Sequence, residues 1–151
     1  MMLRQASNKP IGEMTPADLM RISGALSVFR QQRAYVAETA LKSAWVPGTG
    51  QFRNGEKGKG ALFLAAHILV DVGTMVGAYF LLPESVQFSS LNYFRESGAN
   101  IETAWKSLSF MDLLPSMSVA VGGSIVSGAI RMFAAKDAAD VAMERLVAGE
   151  V

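Results

Sequence analysis

The sequence predicts an all-α integral membrane fold: a helical hairpin of two transmembrane helices preceded by an N-terminal amphipathic helix. Three observations predict it. Half of the 151 residues are hydrophobic and only 18% are charged, a balance that leans toward the bilayer. Two apolar runs, over residues 60–83 and 111–134, have the length of membrane spans. Ahead of them, apolar residues recur at three- and four-residue steps among arginines, as on one face of a helix.

Residues 1–14 read as an N-terminal tail. Arg4 and Lys9 are followed by no apolar core of a signal peptide and no small-residue cleavage site, so the N-terminus is expected to stay uncleaved. Thr15-Pro16-Ala17-Asp18 is a helix start: Thr15 can cap, Pro16 fits the first helical position, and Asp18 suits the positive end of the dipole. Leu19, Ile22, Leu26, Phe29, Val36 and Ala40 then form a stripe flanked by Arg21, Arg30, Arg33 and Glu38. Residues 15–46 are therefore expected to form an amphipathic helix, bent or broken near Gly24. Such a stripe packs on its own protein or a subunit, or lies on the membrane with its arginines toward anionic headgroups.

The segment from Pro47 to Gly60 carries five glycines and one proline. That density of breakers, flanked by Trp45 and Phe52 and charged by Arg53, Lys57 and Lys59, predicts a glycine-rich interfacial turn over residues 47–59. Its spacing is not that of a phosphate-binding loop and no strand precedes it. The first transmembrane helix, residues 60–83, is long enough at 1.5 Å per residue to cross a hydrocarbon core of about 30 Å. Tyr79 and Phe80 stand where an aromatic belt would lie, and Pro83 and Glu84 end the run.

Residues 84–110 read as an extracytoplasmic loop in which Ser97 to Asn100 form a turn and Asn100 is expected to cap a short helix carrying Ile101, Trp105 and Leu108 on one face. The second transmembrane helix, residues 111–134, opens with Asp112 and closes near Arg131. Residues 135–151 resume as a cytoplasmic C-terminal helix, a solvated continuation of the second span. Arg53, Lys57, Lys59, Arg131 and Lys136 share one side of the spans, whereas the intervening loop sets Arg95 and Lys106 against Glu84, Glu96 and Glu102. Both termini are accordingly expected in the cytoplasm. Apolar runs also occur as core helices of soluble proteins, which is the alternative reading of these two.

Lys42-Ser43-Ala44-Trp45-Val46-Pro47-Gly48-Thr49-Gly50-Gln51-Phe52, followed by Asn54-Gly55 and Lys59-Gly60-Ala61-Leu62-Phe63-Leu64, resembles small uncharacterised bacterial membrane proteins. Their pattern is a Pro-Gly-x-Gly-Gln-aromatic-x-x-Gly loop before a helical hairpin, loosely similar to the two-transmembrane-domain family. The resemblance covers residues 42–82. Arg53 stands where the pattern often has tyrosine, and the second span and long loop have no counterpart. It implies a bacterial inner-membrane hairpin whose loop motif is Pro47, Gly48, Gly50, Gln51, Phe52 and Gly55, and it brings no activity.

Few residues offer chemistry. His67, the only histidine, lies one helical turn before Asp71 inside the first apolar run, so the two share a face. An intramembrane pair of this kind is either a buried hydrogen bond between helices or part of a proton or ion path. Two ligands are too few for a metal site, and there is no cysteine to add a third. Ser116, Ser118, Ser124 and Ser127 would need an oriented base to act as nucleophiles. Gly73 and Gly77, and in the second run Ala120, Ser124 and Gly128, repeat small residues at four-residue steps that let helices approach closely.

A net charge of +1 without a basic patch among stacking aromatics excludes nucleic acid as a partner. No cofactor and no metal are expected. The partners expected are the lipid bilayer and other membrane-protein subunits or copies of the chain itself. The reading is a non-enzymatic inner-membrane protein, an accessory or scaffolding subunit of a larger complex. The alternative is a self-assembling channel or proton- or ion-coupled component using His67 and Asp71.

Overall fold

The computed structural model describes residues 14–149, so the expected tail before Met14 and the final two residues lie outside the described residues. The described chain is helical: α1 (Pro16–Trp45), α2 (Thr49–Arg53), α3 (Lys57–Phe80), a 3-10 turn (Glu84–Val86), α4 (Gly98–Lys106) and α5 (Phe110–Ala148).

Thr15 starts α1 as expected. Its hydroxyl accepts from the Asp18 amide at 3.2 Å while the Asp18 carboxylate accepts from the Thr15 amide at 3.2 Å, satisfying two of the orphan donors of the first turn. The expected break at Gly24 is absent, and α1 runs unbroken for 30 residues. A lone glycine costs a helix only about 1 kcal/mol, and a Cβ at Gly24 would meet nothing within 4 Å.

The expected glycine-rich turn is also different in kind. Pro47, Gly48, Gly50, Gln51 and Asn54 are buried, and residues 49–53 coil into the short helix α2. α3 then begins at Lys57, a few residues before the apolar run. In the long loop, Ser97 rather than Asn100 caps α4, its hydroxyl accepting from the Asn100 amide at 3.3 Å. The Asn100 side chain turns instead to the Glu96 carboxylate at 2.9 Å.

α5 is one helix of 39 residues, which at 1.5 Å per residue is about 58 Å long. Its two halves serve different partners. Along the first half, Ser116 bonds the Ala78 carbonyl at 2.7 Å, Gly123 meets Thr74, and Ser127 meets His67 at 3.1 Å. The order of those pairs makes α3 and α5 antiparallel. Along the second half lies α1: Thr39, Ser43 and Ala138 converge on Gly50 at one end, while Phe29 and Arg33 share a cleft with Leu146 and Val147 at the other.

The face α5 presents to both partners is a single stripe of small residues, Ser116, Gly123, Ser127, Ala134, Ala138 and Ala142. These positions stay on one side of a helix of 3.6 residues per turn. The last three are fully buried, so the expectation of a solvated C-terminal helix holds for its outer face only. Close backbone approach, rather than interlocking large side chains, holds the helices together here.

The loop caps the end of α3. Val86 and Leu91 are buried beneath it. Phe88 stacks on Tyr79 and meets Tyr93 edge-on, and the Tyr93 hydroxyl bonds the Val86 carbonyl at 2.6 Å.

α3 and α5 are each long and apolar enough to cross a membrane. Of their most apolar 18-residue stretches, only 6% and 11% respectively is buried against the rest of the chain. A core helix of a soluble protein would bury most of that surface.

Candidate functional site

Two polar clusters stand out, one at the helix junction and one between α3 and α5. The junction is built on the glycine-rich motif. Pro47 ends the run from α1, and Gly48 at φ 96° takes a left-handed conformation that a side chain would strain. A Cβ on Gly48 would run into the Gly60 carbonyl. At Gly50 it would stand 2.5 Å from the Thr39 carbonyl, 2.6 Å from Ser43 Oγ and 2.7 Å from the Ala138 methyl. α2 is thus pressed between α1 and α5 where no side chain fits at that position.

Gln51, fully buried, ties three elements together. Its Oε1 accepts from the Ser43 hydroxyl at 2.8 Å, and its Nε2 donates to the Ala134 carbonyl at 2.7 Å and to Asp137 Oδ2 at 3.0 Å. Ser43 Oγ in turn accepts from the Gly50 amide at 2.8 Å. One turn on, Asn54 donates to the Ala138 carbonyl at 2.8 Å and accepts from the Tyr35 hydroxyl at 3.3 Å. Every buried amide group therefore finds a partner, as burial demands. Phe52 and Gly55, the other members of the motif, sit on its outside; Phe52 covers Gly60, and Gly55 (φ 78°) faces the Arg145 guanidinium.

Charges ring the junction. Arg53 pairs with Glu38 at 2.7 Å and lies over the Tyr35 ring at 4.9 Å, a stacked arrangement that suits guanidinium. Hydrogen bonds from Arg53 and then Lys42 hold the Glu38 carboxyl down from its ordinary 4.5 to about 2, while Glu38 raises the guanidinium above its usual value. Lys59 bridges Glu56 at 3.0 Å and Asp137 at 3.3 Å.

The second cluster centres on His67. Its Nδ1 meets Ser127 Oγ at 3.1 Å, and its Nε2 meets both Asp71 Oδ2 at 3.3 Å and an Arg131 nitrogen at 3.4 Å. With the proton on Nε2, His67 donates to Asp71 and the Ser127 hydroxyl donates to Nδ1. With it on Nδ1, His67 donates to Ser127 and Nε2 accepts from Arg131. Either tautomer links α3 to α5.

Comparison with protein-family models, with curated proteins and with solved structures found no match to this chain.

Ser127, His67 and Asp71 are linked in the order of a hydrolase triad, an alignment that the sequence left open, but with the ring nitrogens exchanged: Nδ1 faces the serine and Nε2 the carboxylate. Acyl transfer also needs free backbone donors for an oxyanion. Ser127 lies mid-helix in α5, where backbone N–H groups are spent in the helix's own ladder, and it is only 6% exposed. The geometry accounts for the serine as a helix-to-helix contact. Among the described residues no group of three or more His, Cys, Asp or Glu could hold a metal.

The small residues singled out from the sequence divide. Gly77 meets Val119 at ordinary contact distance, whereas a Cβ on Gly73 or Gly128 would meet nothing within 4 Å. Ala120, Ser124 and Gly128 line a groove of about 460 Å³ beside Asp71, Thr74 and Arg131. A Cβ that would find no room lies instead at Gly123, against Thr74, one position off the stripe read from spacing. Nor does spacing name the partners of Gln51 and Asn54 on α5. The legible signal was Ala134, Ala138 and Ala142, small residues at four-residue steps that imply a close neighbour.

Proposed function

We propose that this chain is a two-span protein of the bacterial inner membrane, with both termini cytoplasmic, acting as a non-enzymatic accessory or scaffolding subunit of a larger membrane assembly. The observation that carries the reading is the exposure of α3 and of the first half of α5. Their apolar surface is left outside the chain's own packing, where lipid tails would satisfy it. The bacterial assignment rests on the resemblance of the loop segment.

On this reading α3 and the first half of α5 form the transmembrane hairpin, and α5 continues past the bilayer. α1, running antiparallel along that continuation, stands off the membrane as the second helix of a stalk rather than lying on the headgroups. The motif around Gln51 is the clasp that fixes stalk to hairpin. A rigid clasp whose amide groups are all internally engaged suits a part that sets geometry for others. His67 joins the two helices through Ser127 and Arg131, which fits a structural rather than a catalytic use.

Cysteine labelling tests the topology, because the chain has no cysteine of its own. Ser97→Cys and Lys136→Cys both lie at exposed positions. The membrane fraction should retain the protein after carbonate washing, and an impermeant maleimide should label the first variant but not the second in intact cells. Release by carbonate would defeat the membrane reading, and reversed labelling would invert the orientation.

A further inference from the structure

The groove beside the His67 cluster has an unusual lining for the flank of two apolar helices. It is open, about 460 Å³ in volume, and carries Asp71, Thr74, Ser124 and Arg131 together with Gly128. The Asp71 side chain is 48% exposed, and Arg131 is exposed too. Each reaches only His67, and no carboxylate pairs with Arg131 among the described residues. If α3 and α5 span the bilayer, as proposed above, this side faces lipid with one charge of each sign uncovered. Ionisable groups within spans are turned toward a partner or a cavity rather than toward lipid tails.

We infer that a second copy of this chain covers the groove, pairing Asp71 of each protomer with Arg131 of the other. Charge complementarity selects a second copy. Asp71 and Arg131 approach the same ring nitrogen, at 3.3 and 3.4 Å, so their charged ends lie near one another and close in height along the spans. Two identical chains inserted in the same direction and related by a two-fold axis along the membrane normal then bring opposite charges together twice. A face bearing both signs close in height is its own complement, as an isologous interface requires. Ala120, Ser124 and Gly128 supply the close approach. They lie on the groove at four-residue steps, and a Cβ on Gly128 meets nothing within the protomer, so its missing side chain is room left for a neighbour. The inference rests on the two-span reading and adds the partner and the residues that select it.

The test uses full-length protein in phosphatidylcholine–phosphatidylglycerol vesicles, with pairing followed by single-molecule photobleaching at falling protein density. Wild type should be dimeric. Asp71→Arg leaves two cations facing two cations, and Arg131→Asp two anions facing two anions, so each variant alone should lose about tenfold or more in pairing affinity. Mixed in equal amounts, the two should recover it as heterodimers, because both contacts become attractive. Gly128→Leu, which fills space empty in the protomer, should weaken pairing while leaving helicity unchanged. Should a charge reversal block insertion, Ser124→Cys decides: it should cross-link to a dimer on mild oxidation, whereas Phe133→Cys, exposed on the opposite side of α5, should not. Monomeric wild type that remains inserted, charge variants that pair with themselves like wild type, or a mixture that fails to recover would overturn the inference alone. Failure of wild type to insert would overturn the two-span reading with it.

Discussion

Replacing Gln51 by alanine should detach the stalk while leaving the contact between α3 and the first half of α5 intact. Gln51 makes three side-chain hydrogen bonds, to Ser43, the Ala134 carbonyl and Asp137, at 2.8, 2.7 and 3.0 Å. Two neutral bonds worth about 1 kcal/mol each and one to a carboxylate worth about 2 kcal/mol give a loss of about 4 kcal/mol. At 1.4 kcal/mol per decade, the fraction of molecules with α1 released rises about a thousandfold, until release is complete. Trypsin reads this directly, since Arg30, Arg33 and Lys42 on α1 and Lys136 and Arg145 on α5 all lie along the stalk. Purified full-length protein in mild detergent should be cut there far faster than wild type. Gln51→Met separates the causes, because it keeps the volume and removes the bonds. It should behave nearly as badly as alanine, leaving the Asp137 carboxylate and the Ser43 hydroxyl short of partners. Cleavage of Gln51→Ala within about threefold of wild type, a difference of only about 0.7 kcal/mol, would refute the clasp. Rescue by methionine would show that packing, not hydrogen bonding, holds the junction.

Two further outcomes follow from the same junction. Gly50→Ala places a methyl 2.5 to 2.7 Å from three neighbours and should destabilise the stalk by about 1–3 kcal/mol. Gly58→Ala, in α3 with open space around it, should instead stabilise by up to about 1 kcal/mol; thermal melts of both decide, and equal effects would contradict the packing. Because the Glu38 carboxyl is lowered from 4.5 to about 2, its stabilising contribution is whole above pH 4.5, and it is lost as the pH falls through about 2. Glu38→Gln should flatten that part of the acid profile of stalk protection, and an unchanged profile would remove Glu38 from the account.

Local rules made much of the helical order legible. The capping box at Thr15 and Asp18, the three- and four-residue stripe of α1, and the two long apolar runs each depend on residues near one another in sequence, where backbone geometry alone fixes which side chains share a face. The glycines at 48 and 50 were equally readable as positions hostile to side chains. Their density suggested an interfacial turn, whereas residues 49–53 coil into a short helix and Pro47 to Asn54 lies largely buried within the chain.

Only the tertiary structure decided why that segment is buried. Gln51 bonds to Ala134 and Asp137, and Asn54 to Ala138, more than eighty residues away along the chain. A buried amide can be satisfied by any carbonyl that comes within reach, and periodicity does not say which one will. The same holds for the face of α5. Its small residues occupy overlapping stripes, one through Ala120, Ser124 and Gly128 and one through Ser116, Gly123 and Ser127. A helix whose composition permits close approach on two neighbouring faces does not announce which face its own chain will use. The crossing of Thr74 onto Gly123 and of His67 onto Ser127 selected the second, and left the first open beside Asp71 and Arg131.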